Sequence, residues 1–334
     1  MSLISRILKA NPSAQVSDML TGYFVIPSAK GGTFEGGTGR AIFAGGNTNV
    51  SGPNSNVIEY LELASLGDAV DFGDLATGKR GGPAGGASST RAVFGGGYGS
   101  GYSGAIEYVT IATTGNATSF GTLSSSRESS GGLSSGTRAV IVGGNNGSDS
   151  NEMDYVTIAT TGNSTDFGTL SANRNLLAGT ASPTRGIIGG GNQPADTNII
   201  EYITIASTGN ATDFGDLTLA RRSPAACASA TRALFAGGYT VSGDTGRNVI
   251  DYITIASTGN AIDFGDLDAN YEGKGGTAGG VRGFFASGYS SAEASQSLKI
   301  ASVIIATEGN STQWGNCTTG KYGFYAGSNA HGGL

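Results

Sequence analysis

The chain has 334 residues, of which 59 are glycine and 13% are charged, with a formal net charge of −6. No run of Lys and Arg offers the basic face that phosphate binding requires, so a nucleic-acid partner is excluded. No apolar stretch reaches the roughly 18 residues of a membrane helix, and the first ten residues lack the apolar run of a secretion signal, so neither membrane insertion nor Sec export is expected.

In chain order, Ser2 to Ala10 place Leu3, Ile4, Ile7 and Leu8 on one side of a short helix that Asn11-Pro12 stops. A helix this short is unstable alone in water, so it either frays or orders against another surface. The expectation is a docking arm and connector over residues 1–29, with Tyr23-Phe24-Val25-Ile26 as a closing or edge strand, followed by one body over 30–334.

That body is an array. Tyr60, Tyr108, Tyr155, Tyr202 and Tyr252, with Ser302 in sixth place, each precede an aromatic by twelve residues: Phe72, Phe120, Phe167, Phe214, Phe264 and Trp314. Upstream of each stands an Arg, then apolar residues, then two small ones. These arginines, Arg40, Arg91, Arg138, Arg185, Arg232 and Arg282, are 51, 47, 47, 47 and 50 residues apart, a period that suits four-stranded propeller blades. Periodic aromatics and β-branched runs argue against disorder despite the glycine content.

The fifth copy shows the expected strands. An inner strand runs from Arg221 to Ser229, its small residues suited to a crowded channel; Arg232 to Ala236 is buried on both faces; Val249 to Ser257 alternates; and a short outer strand surrounds Phe264. The turn Thr258-Gly259-Asn260 supplies residues that tolerate positive φ. Lys321 to Ser328 is a leftover inner strand, so the expectation is an all-β, single propeller of six four-stranded blades closed by the C-terminal strand. Seven blades result if that strand pairs instead with Tyr23 to Thr33.

An Arg entering a strand, a diglycine after it, then a Tyr and a later Phe or Trp in each repeat resembles the kelch motif over roughly residues 30–328. Twelve residues separate Tyr202 from Phe214, where kelch repeats keep their aromatics about a short turn apart. The Ile-Glu-Tyr-Ile-Thr-Ile-Ala-Ser-Thr-Gly-Asn units also look like repeats of virion structural and fibre-type proteins of marine tailed bacteriophages. That resemblance implies a virion location, the arm docking on other virion proteins, and host-surface glycan as a further partner. The alternatives are an intracellular kelch-like interaction module and, last, a carbohydrate-active enzyme.

Chemistry is limited by supply. The copper site of galactose-oxidase-like propellers needs two His ligands, and a Ser-His-Asp site needs one, whereas the single histidine is His331 in a Gly-rich tail. The turn Ser257-Thr258-Gly259-Asn260-Ala261 lacks the Asp of a sialidase Asp-box. Carboxylate pairs such as Asp213 with Asp216 and Asp263 with Asp266 recur blade after blade, which points to a structural need, as does the absence of one asymmetric constellation. No enzyme activity and no cofactor are expected. Cys227 and Cys317 are too few for a disulfide framework. An oxygen-rich loop of Asn145, Asn146, Asp149, Asn151 and Glu152 has no established calcium spacing, so no metal is assigned. The sequons at Asn116, Asn163, Asn210 and Asn310 share one turn position and read as turn chemistry.

Repeated bases, either Arg80, Arg127, Arg174 and Arg222 or the series of Arg91, are the natural partners of those repeated acids and are expected to tie each blade to the backbone or an acid of its neighbour. The loops between the diglycine strand and the Tyr strand differ in length and sequence, should emerge on one face, and carry Tyr98, Tyr102, Tyr239 and Tyr289 as ligand-binding candidates.

Overall fold

The computed structural model describes residues 39–48, 54–79, 84–242 and 245–334. The expected arm, with Leu3, Ile4, Ile7 and Leu8, and the Tyr23 to Thr33 strand of the seven-blade alternative lie outside the described residues. Among the described residues every regular element is a strand, and the architecture is an all-β propeller.

One blade shows why the repeat folds as it does. Ala178–Ala181, Arg185–Gly189, Ile199–Thr204 and Thr212–Asp216 pair antiparallel in that order. The inner strand is built of small residues because its neighbours are close: a Cβ on Gly179 would lie 2.6 Å from Gly132 O of the preceding blade. The second strand is buried from Gly186 to Gly189, as its apolar run requires for a strand packed on both faces. The third alternates, with Ile200, Glu201 and Ile203 buried and Thr204 exposed, after a register shift between Ile200 and Glu201. Tyr202 meets Phe214 edge to face at 6.0 Å, which explains the twelve-residue aromatic spacing as a pair across adjacent strands.

Five sheets have this four-stranded build, and a sixth has seven strands. The departure from uniform blades arises where Thr245–Thr254 and Ile262–Glu272 extend to 10 and 11 residues. The longer outer strand runs on past Leu267, where other repeats bend, and pairs with Tyr289–Ser290, which pairs in turn with Ser295–Gln296. The C-terminal strand Tyr325–Ser328 enters the sheet of Arg40–Ala44, in register from Ala41↔Ser328 to Ala44↔Tyr325. The expected inner strand from Arg221 to Ser229 is shorter, Ala225–Ala228, because Arg221 turns its side chain into the blade instead of continuing the strand.

The hydrophobic core is divided among the spaces between blades. Ile187, Ile200, Phe214 and Leu217 of one blade pack with Phe235, Ile253 and Ile255 of the next. Equivalent clusters fill the other gaps, including one that joins Phe284, Ile300 and Cys317 to Ala41, Phe43 and Leu61.

At the rim each blade grips the one before it. Gly259 N–H donates to Phe214 O at 2.7 Å, and Asn260 Oδ1 accepts from Asp216 N at 3.1 Å. Asn116, Asn163, Asn210 and Asn310 make the same bond, so the sequon asparagines are structural acceptors. Asp68 takes their place against Asn316 N at 2.8 Å. The contact is close enough that Gly215, at φ 143°, admits no side chain: its Cβ would lie 2.4 Å from Gly259 O.

The Arg series adds a second tie. Arg40, Arg91, Arg138, Arg185 and Arg232 each stack 4.5–4.6 Å over the Tyr of their own blade. Each also donates to a carbonyl of the next blade, as Arg185 Nη1 does to Ile255 O at 2.8 Å. Arg185→Ala loses both contacts at a half-buried position and should lower the unfolding free energy by about 1.5–3 kcal/mol. Chemical denaturation against wild type measures it, and an unchanged midpoint would show that the ladder carries no stability.

Candidate functional site

A separate set of cations is buried inside the blades. Lys79 pairs with Glu107 at 2.7 Å, Arg127 with Asp154 at 2.8 Å, Arg221 with Asp251 at 3.0 Å, Lys321 with Glu59 at 2.8 Å, and Arg174 with Glu201. Each base precedes an inner strand and each acid lies on the third strand of the same blade. Burial draws the Arg174 and Arg221 guanidinium groups below their ordinary range, against the pull of Glu201 and Asp251. The acids also hold the segment arriving from the previous blade: Asp251 accepts from Thr218 N and Oγ1, Glu201 from Ser171 N, and Glu107 from Ala76 N.

Because base and acid belong to one blade, the expected tie of these bases to an acid of the neighbour is corrected, and so are two assignments. Asp213 and Asp216 are not the partners of these bases. Arg221, not Arg222, occupies the buried position. Arg80 lies outside the described residues, and its neighbour Lys79 makes the pair. Adjacent basic residues gave the sequence no means of choosing between them.

The variable loops begin directly after the diglycine pairs and lie beside the residues that lead into the inner strands. Asn47 bridges Tyr322, Asn145 bridges Glu128, Asn192 bridges Asn175, Arg222 bridges Tyr239, and Tyr289 pairs with Glu272. These lead-in segments are joined by a belt of backbone hydrogen bonds. Leu176 N–H donates to Ser129 O, Ser223 N–H to Leu176 O, Gly273 N–H to Ser223 O, and Gly323 N–H to Gly273 O, at 2.7–3.1 Å. All five stand at φ between 52° and 62°, a left-handed conformation that the belt enforces even on Leu176.

The belt rims a cavity of about 430 Å³ whose lining includes Asn47, Glu128, Arg222, Glu272, Lys274 and Tyr322. Two acids, two bases and an amide converge there beside Leu176, Leu177, Pro224, Tyr322 and Phe324, a mixed lining of charge and apolar surface that suits a ligand with both hydroxyl groups and an apolar face. The inner strands continue below it as a narrow channel. At the far end lies His331, which sequence reasoning left in the tail. Its Nε2–H donates to Ala87 O at 2.7 Å, and its Nδ1 accepts from Gly333 N at 3.0 Å. Burial holds its ring below the ordinary histidine range, opposed by the bond to Ala87 O.

The four candidate tyrosines fall into three groups. Tyr98 and Tyr102 meet edge to face at 5.3 Å; Tyr102 is 39% exposed and donates to Asn145 Oδ1 at 3.2 Å. Tyr239 lies under the Arg222 guanidinium at 4.6 Å. Tyr289 packs on Tyr322 at 6.4 Å and so reaches the cavity wall. Sequence reasoning missed Tyr322, Glu128, Glu272, Arg222 and Lys274 as cavity residues. Their shared position four or fewer residues before each inner strand was the available signal.

The oxygen-rich loop is internally spent. Asp149 Oδ1 accepts from Asn145 Nδ2 and Asn175 Nδ2, and Asn145 Oδ1 from Gly147 N. Among the described residues no three His, Cys, Asp or Glu side chains gather as metal ligands. Burial raises the thiols of Cys227 and Cys317, the latter to about 12, so both are inert at neutral pH.

No protein-family model matches the chain, and no curated protein matches it in sequence.

Two outcomes test this account of the interior. Arg221→Met strands Asp251 in a buried site and should cost about 3–5 kcal/mol in denaturant melts. His331 is protonated more readily when unfolded, so its contribution is whole above about pH 6.5 and declines as pH falls below that value. His331→Gln should therefore lose less melting temperature than wild type between about pH 7 and pH 5.5, a difference read by calorimetry at both values.

Proposed function

We propose that the protein is a non-enzymatic attachment module, a stiff propeller that presents its loop face and channel mouth to a polar surface ligand such as a host glycan. The observation that carries this reading is that the residues paired with the starts of the dissimilar loops, Tyr322 among them, ring one cavity of mixed polar and apolar lining, with Tyr289 packed on Tyr322, while most repeated acids and bases are committed to structural pairs. Rigid loops bearing Tyr offer contact area at small entropic cost.

The setting we favour is the virion of a tailed phage, as tail fibre, appendage or capsid decoration. Its support is the likeness of the repeat units to virion fibre-type proteins, and residues 1–29 would then dock on other virion proteins. We count the seven-stranded sheet as a sixth, lengthened blade of a kelch-like ring; its first four strands keep the order of the others, and the inner strands adjoin in cyclic order.

Binding of the whole chain to an array of bacterial surface polysaccharides tests the reading. A double variant, Tyr289→Ala with Tyr322→Ala, should weaken the binding at least about tenfold, or roughly 1.4 kcal/mol, while the unbound protein keeps its fold by circular dichroism. No binding by wild type, or binding indifferent to the double variant, would remove the mouth as the recognition surface. Mass spectrometry of purified particles decides the virion setting separately.

A further inference from the structure

In each described copy one residue directly precedes the belt: Glu128, Asn175, Arg222, Glu272 and Tyr322. The mouth therefore has a single cation at this level, Arg222. Every other described arginine donates at least one hydrogen bond from its side chain. Among the described residues the Arg222 guanidinium finds no acceptor. Its Nη1 lies 3.9 Å from Asp196 Oδ1, beyond hydrogen-bond reach. Asp196 is engaged elsewhere, its Oδ2 accepting from Val241 N at 2.7 Å and its Oδ1 from Asn192 Nδ2 at 3.5 Å.

The guanidinium is nevertheless held in one place. It stacks 4.6 Å over the Tyr239 ring, and Arg222 exchanges two backbone hydrogen bonds with Tyr239, at 3.0 and 2.8 Å. Its side chain is 28% exposed and Arg222 lines the mouth cavity, so a ligand seated there has access to it. A planar set of N–H donors is thus fixed at the cavity wall with its hydrogen bonds still to be made.

We propose that Arg222 anchors a carboxylate subsite, so that the ligand of the mouth is an acidic glycan and not a neutral one. The inference rests on the attachment reading and names its ligand class. Paired guanidinium N–H groups match the two oxygens of a carboxylate, and such charge-assisted bonds are stronger than those to a neutral hydroxyl. Stacking on Tyr239 has already restricted the side chain, so little further ordering is needed when the ligand arrives. Leu176, Pro224, Tyr322 and Phe324 in the same cavity supply apolar surface for the C–H face of a sugar ring. Glu128 and Glu272, also in the lining, set a limit on ligand charge. A chain with isolated carboxylates among neutral hydroxyls suits the site, whereas one charged at every unit meets repulsion from both acids.

The test is binding of the whole chain to acidic bacterial polysaccharides arrayed beside their carboxyl-reduced forms. Wild type should lose at least about tenfold in affinity on carboxyl reduction. Arg222→Gln should lose a similar factor on the acidic form and nothing further on the reduced one. Arg222→Lys, which keeps the charge but not the planar fork, should restore only part of the loss. Circular dichroism checks the fold of both variants, and should neither fold, the wild-type comparison of acidic with reduced forms decides alone. Preference for neutral polysaccharides, or equal binding before and after reduction, would overturn the carboxylate subsite and leave the attachment reading standing. Retention of no polysaccharide, even where an acidic peptide binds, would remove the attachment reading as well.

Discussion

Everything in this molecule depends on the grip of one blade on the edge of the last. An isolated blade has an apolar face on each side and little to put against it, and its outer strand ends in unpaired peptide groups. The Gly-Asn turn of the following blade satisfies those groups, as Gly259 and Asn260 do for Phe214 and Asp216. The same approach brings Phe235 and Ile253 against Ile187 and Phe214. Core and rim are therefore formed by one event, the docking of neighbours, as expected of repeats that cannot bury a face alone.

The buried ion pairs act within that scheme more as guides than as a source of stability. Removing two charges from water costs several kcal/mol for each, and pairing recovers that only when the remaining polar atoms also find partners. Here the carboxylates do and the guanidinium groups do not: Asp251 takes Arg221 together with Thr218 N and Oγ1, fixing its own blade and the segment arriving from the previous one, while Arg221 Nε and Nη1 and the Nε atoms of Arg127 and Arg174 have no hydrogen-bond partner. The distances set by this arrangement hold the belt of left-handed residues at the channel mouth, and the belt in turn holds the loops.

Much of this was legible in the sequence because it repeats. The Arg and Tyr series announced the blade period, the aromatic spacing proved to be a cross-strand pair, and the C-terminal strand lies in the first sheet as its sequence suggested. What repetition could not reveal was any feature unique to one copy. Tyr271 and Ala301 look like ordinary substitutions until the strand register sets them where the adjacent blade has Arg221 and Asp251. The lengthening of Ile262–Glu272 had no turn signal to betray it. His331 sat in a Gly-rich tail and gave no hint of burial, since what it caps is made by strands more than two hundred residues away in sequence.

The pairing of Tyr325–Ser328 with Arg40–Ala44 has a bearing on the order of synthesis. The earliest described strand leaves the ribosome long before its inner neighbour exists, with a bare hydrogen-bonding edge and an apolar flank that waits for Phe284, Ile300 and Cys317 to cover it. Until Tyr325–Ser328 is made, that edge is open to edge-to-edge association. Pairing of these two strands then becomes a checkpoint, because a product cut short of Tyr325 leaves the edge of Arg40–Ala44 without that neighbour.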